Sequence, residues 1–108
     1  MAEENEKRAA HRALVGSVLR GGGRASPEQR ARAFGGAGLA PAVDPLLDKV
    51  VSAPARITEA DFDAAEAAGY SADQLFELVI CAAVGRSARL YDAGLAALTE
   101  ATTDDGAR

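Results

Sequence analysis

The sequence predicts an all-α fold, a small bundle of about five to six helices, and three observations predict it. About a quarter of the 108 residues are alanine and aromatics make up only 5%, a composition that suits closely packed helices and leaves little bulky material for a sheet core. Apolar residues recur at helical spacing in several separate segments. Glycine, proline and Ser/Thr/Asp fall between those segments where helix caps are needed.

Taken in order, Ala2 to about Arg20 carries Ala10, Leu14, Val15, Val18 and Leu19 at helical spacing, with Glu3/Lys7 and Glu4/Arg8 as i,i+4 pairs. Gly21-Gly22-Gly23 stops this helix, because three glycines lose much backbone entropy when ordered. Ser26-Pro27 restarts a short one that runs to about Phe34 before Gly35-Gly36. Asp44-Pro45 repeats that start signal and places Leu46, Leu47, Val50 and Val51 on one face of a third helix. Thr58 and Asp61 form a capping-box pattern for a fourth, with Phe62, Ala65 and Ala68 on its apolar stripe and Gly69 at its end.

Ser71 to Val84 is apolar on nearly every face and reads as the central helix, capped by Ser71 and Gln74 and entered through Tyr70 as a hydrophobic staple. Gly85 can be tolerated in one long helix or can break it. The reading taken is a break or sharp kink before a last helix, roughly Ser87 to Ala101, with Leu90, Tyr91, Gly94, Leu95 and Leu98 turned inward. Residues 1–101 then form one domain, 1–40 contributing N-terminal helices and glycine-rich loops and 41–101 the core. Residues 102–108 are left as a flexible tail.

A net charge of -4 and a pI near 4.9 argue against nucleic-acid or anionic-membrane binding, which need a concentrated positive field. Arg20, Arg24, Arg30 and Arg32 cluster in sequence, but with Glu28 among them they read as a solvated face. No window is apolar enough for a membrane span and the acidic start is unlike a secretory signal, so a cytoplasmic location is expected. Cys81 is the single cysteine and cannot form an internal disulfide.

The run Gly69-Tyr70-Ser71-Ala72-Asp73-Gln74-Leu75-Phe76-Glu77-Leu78, the alanine-rich stretch to Gly85, Arg89-Leu90 and Gly94-Leu95 together resemble the carboxymuconolactone decarboxylase and alkylhydroperoxidase-D-like superfamily. The resemblance covers roughly residues 40 to 100, and small members of that superfamily from high-GC bacteria are similar over almost the whole length. It implies an all-helical fold that assembles into trimers or hexamers. In peroxidase members it implies a Cys-x-x-Cys pair with a histidine four residues on, where a low-pKa thiolate attacks peroxide and a second thiol resolves it. Decarboxylase members use a histidine and acidic groups. The family offsets place the three peroxidase positions on Pro54, Ile57 and Asp61, none of which is a thiol or an imidazole. The only histidine, His11, lies in the charged first helix and reads as a solvated residue.

Three residues remain as catalytic candidates: Cys81, Glu77 and Asp61. Cys81 lies between Ile80 and Ala82, where burial raises a thiol pKa and favours a core role. Glu77 must find a wet face or a partner; Arg89 can be that partner if the chain turns back at Gly85, but lies about 18 Å away if the helix is straight. Asp61, Asp63 and Glu66 do not share one helical face, so no metal or other cofactor is expected. A pocket lined by Glu77, Arg89 and Tyr91 could take a small organic acid. The leading expectation is an oligomeric structural or accessory module without the redox centre, as a dimer, trimer or hexamer. The alternative is a residual thiol peroxidase through Cys81 or a decarboxylase-type enzyme using Glu77 and Asp61.

Overall fold

The computed structural model describes the backbone of residues 2–107, and side chains for residue 3 and residues 5–102. Among the described residues there are five α-helices and no strand: α1 (Ala2–Arg20), α2 (Pro27–Gly35), α3 (Asp44–Ser52), α4 (Glu59–Ala67) and α5 (Ala72–Ala107), with one 3-10 turn at Pro54–Arg56.

The capping signals act largely as read. Ser26 Oγ accepts from Gln29 N–H at 3.1 Å while Gln29 Oε1 accepts from Ser26 N–H at 3.0 Å; Ser71 and Gln74 repeat the pair at 3.1 and 2.9 Å. Gly36 closes α2 in the left-handed region at φ 72°, and Gly69 follows α4 at φ 106°, conformations that cost a residue with a Cβ more. Asp44 differs from expectation. Val43 occupies the cap position without a side-chain bond, and Asp44, already helical, accepts from Leu39 and Ala40 N–H at 2.7 and 3.1 Å. It secures the incoming loop.

The break at Gly85 is not present. α5 runs 36 residues without interruption, about 54 Å at 1.5 Å per residue, close to the 59 Å long axis of the molecule. It also continues past Ala101 to Ala107, so residues 102–107, read as tail, carry helical backbone; Arg108 lies outside the described residues. Gly85 is buried, and a Cβ there would sit 2.7 Å from the carbonyl carbon and 2.9 Å from the Cα of Phe34. The glycine is therefore where α2 crosses α5 at backbone contact, and that packing offsets its poor helix propensity.

The core is built on the first half of α5. Leu75, Leu78, Cys81 and Ala82 pack with Val43, Leu46, Leu47 and Val50 around α3, with Ala33 of α2 and Ala65 of α4, and Tyr70 packs against this cluster. Ala88 is the last buried residue of α5 among those described. α1 runs antiparallel along α5, from Val18 opposite Cys81 to His11 stacked on Tyr91.

Three sequence expectations about burial fail. α5 is not covered on all sides, since Phe76 is 66% and Leu90 and Leu98 each 60% exposed. In the last part of the helix, Leu90, Gly94 and Leu98 face outward while Tyr91 and Leu95 are half-buried. In α1, Ala10 and Leu14 are exposed and Val15, Val18 and Leu19 carry the packing. The described ion pairs are Arg30 with Glu77 and Lys49 with Asp61; Glu3 and Lys7 do not form one, and the Glu4 side chain lies outside the described residues.

Candidate functional site

Glu77 and Cys81, one helical turn apart on α5, come together with the glycine-rich loop after α1. The Glu77 carboxylate accepts from Arg24 N–H at 2.9 Å and Ala25 N–H at 2.6 Å, and Arg30 Nη2 lies 3.4 Å away. The Arg30 guanidinium also donates to Val18 O at 3.2 Å and Gly22 O at 3.1 Å. Arg30 thus ties α1, the loop, α2 and α5 together from a buried position, with its Nε left unpartnered among the described residues. The absence of a Cβ at Gly23 leaves room for the ends of the Glu77 and Arg30 side chains to meet.

The Glu77–Arg89 pair expected from a chain reversal does not form. Without a turn at Gly85 the two stay apart, and Arg89 Nη1 instead donates to Phe34 O at 2.7 Å, satisfying a terminal carbonyl of α2. Nor do Glu77, Arg89 and Tyr91 line one pocket. Glu77 borders a cavity of about 300 Å³ with Cys81, Val18 and Arg30; Arg89 and Tyr91 border two others along α1. His11, read as solvated, is half-buried and stacks on Tyr91 with ring centroids 4.3 Å apart.

The protonation chemistry is that of structural groups. The backbone N–H groups of Ala25 and Arg24, then the charge of Arg30, hold Glu77 below the usual carboxylate range. Lys49 Nζ, at 2.9 and 3.0 Å, and Thr58 N–H do the same for Asp61. A general acid or base working near neutral pH needs its pKa moved the other way. Both carboxylates are lowered on folding, so their stabilisation is complete above their ordinary values near 4.5 and 3.8 and is lost as pH falls through the folded values. Glu77→Gln and Asp61→Asn are each expected to flatten the acid limb of a stability-versus-pH curve measured by denaturant unfolding.

Cys81 is 2% exposed; burial pushes its thiol up, with Arg30 opposing and Glu77 assisting, and Sγ rests 3.7 Å from Val18 O. Little thiolate forms at neutral pH. Native protein should resist a small alkylating reagent and become labelled only on unfolding; rapid native labelling would contradict this placement. Pro54 opens the 3-10 turn, Ile57 packs on the core and Asp61 is paired. Among the described residues no group of three or more His, Cys, Asp or Glu could hold a metal ion, and no described helix is long and apolar enough to cross a membrane.

Sequence reasoning read Arg30 as part of a solvated face, whereas the structure buries it. Its spacing with Ala33 and Phe34, three and four residues on, puts it on the inward face of α2, which was the available signal. It also missed the outer face of α5, where Phe76, Ile80, Ala83, Ser87, Leu90, Gly94, Ala97 and Ala101 are all exposed. Their separations alternate four and three, the spacing of a coiled-coil seam, and none of the eight is charged.

No family model matches this chain, and no curated protein or solved structure does so.

Proposed function

We propose that this chain is a non-catalytic accessory module that works by self-association, with the outer seam of α5 as its working surface and a second copy of the chain as the partner. The observation that carries the reading is the seam: eight exposed, uncharged positions in 4-3 alternation from Phe76 to Ala101 of one continuous helix. The resemblance to the carboxymuconolactone decarboxylase and alkylhydroperoxidase-D-like superfamily supports it, as an oligomeric member emptied of its redox centre. The engagement of Glu77, Asp61, Arg89 and Cys81 in structural contacts is consistent with that loss.

The second copy is favoured because the seam complements itself when read backwards. In an antiparallel pair, Phe76 meets Ala101 of the second copy, Ile80 meets Ala97, Ala83 meets Gly94 and Ser87 meets Leu90, so each large side chain faces a small one. Sliding by one heptad would set Arg86 opposite Glu100 but leave Phe76 and Ile80 in water. An exposed ion pair contributes about 0–1 kcal/mol, whereas fully burying one large apolar side chain contributes about 1.5–3 kcal/mol, so the register that buries both wins. The strip is about 38 Å long and about 10 Å wide, roughly 400 Å² per copy. The pair thus buries about 800 Å² in total, below the roughly 1,200–2,000 Å² of stable specific interfaces, which makes it a weak, transient association of micromolar strength or weaker.

Sedimentation velocity tests the reading. The mass should rise with concentration from 11.1 kDa toward twice that value; a chain that stays at its monomer mass up to millimolar concentration contradicts it.

A further inference from the structure

A cavity of about 390 Å³ lies between α1, the end of α2 and α5. It uses Ala88, Arg89 and Asp92 of α5, positions outside the seam. Its floor is apolar, made by Val15, Leu19, Phe34 and Ala88, and its rim carries Arg12, Arg20 and Arg89 against a single carboxylate, Asp92. In a chain of net charge -4 this is a local excess of positive charge around an apolar surface.

Two of these cations have no assigned work in the fold. The Arg12 and Arg20 guanidiniums make no hydrogen bond or ion pair with any described residue, whereas Arg89 has one guanidinium nitrogen committed to Phe34 O. The Arg20 guanidinium folds back across Gly16, where a Cβ would collide with it. Gly16, itself a lining residue, thus opens the wall of α1 for that side chain.

We propose that this cleft binds a small amphipathic carboxylate, with its apolar body on the Val15, Leu19 and Phe34 floor and its carboxylate on the Arg12 and Arg20 guanidiniums. Guanidinium and carboxylate match as charge-assisted, bidentate partners, and the cavity lies within the range of small-ligand sites. A bare inorganic anion leaves the floor uncovered, and a neutral aromatic leaves the cations unpaired.

The test is a titration with 2-naphthoate, read from its own fluorescence, which no tryptophan in the chain obscures. Saturable binding of one naphthoate per chain is expected, weakening as salt is raised, with 2-naphthalenemethanol at least about tenfold weaker. Joint Arg12→Gln and Arg20→Gln substitution should weaken naphthoate at least about tenfold. Gly16→Ala should weaken it while leaving helix content intact, since only the end of Arg20 must move. Asp92→Asn should tighten it by removing the opposing charge. Equal affinity for acid and alcohol, binding unchanged in the double variant, or the lack of saturation would each overturn the assignment. So would binding abolished by Leu90→Glu yet kept in the double variant, which would place the probe on the α5 seam.

Discussion

Gly85→Ala is expected to destabilise the protein by about 3 kcal/mol or more, a large share of the roughly 5–15 kcal/mol typical of a domain. The added Cβ would meet Phe34 backbone atoms, at 2.7 Å from its carbonyl carbon and 2.9 Å from its Cα. A flexible side chain could swing aside, but helix backbone cannot. α2 would have to back away from α5, loosening Ala33 in the core cluster and stretching the Arg89 to Phe34 hydrogen bond. Helix propensity alone gives the opposite sign, since alanine is better than glycine in a helix interior by about 1 kcal/mol. Denaturant unfolding therefore separates the two accounts by direction as well as size. Gly94→Ala is the internal control: a Cβ at Gly94 meets nothing within 4 Å, so the isolated chain should gain up to about 1 kcal/mol.

Leu90→Glu is expected to weaken self-association at least about a hundredfold while leaving the fold intact. Leu90 is 60% exposed in the single chain, so a charge there is solvated and costs the monomer little. In the antiparallel pair the residue occurs twice near the middle of the interface, and each copy would lose its apolar burial and face a charge against the opposing helix. Sedimentation should then show the 11.1 kDa monomer at concentrations where the parent chain is paired, with an unchanged unfolding midpoint for dilute protein. Arg86→Gln is the contrasting change, with little effect in the register that buries Phe76 and a clear loss in the slipped one.

Much of the fold was legible because helix caps are local. Ser26-Pro27, Ser71 with Gln74, and Gly69 declare themselves within four residues, and each acts as its spacing predicts. Gly85 was not legible in this way. Its neighbours say only that a glycine interrupts an apolar run, and the reason for it lies 51 positions earlier, in Phe34 of another helix. That misreading carried over to the site, because the Glu77–Arg89 pair required a chain reversal. Once α5 is straight, Glu77 meets the loop after α1, a contact 52 and 53 residues away in sequence. The burial of Cys81 could be read from Ile80 and Ala82 beside it, and the structure agrees at 2% exposure. The seam could not be read so simply, since the same apolar residues suit an inward face; only the placement of α1, α2 and α3 on one side of α5 shows which residues stay outside.

The measurement that bears most directly on the account is the distance between spin labels at residue 101 in the two copies, introduced as Ala101→Cys with the buried Cys81 replaced by alanine. An antiparallel pair with Phe76 opposite Ala101 puts the two labelled positions about 38 Å apart along the helix axis, 25 residues at 1.5 Å each. A dipolar distance centred near that value is the result predicted. A distance near 10 Å would mean parallel helices, and one near 27 Å would mean the register slipped by a heptad. No dipolar signal from protein concentrated well above the micromolar range would contradict the paired module itself.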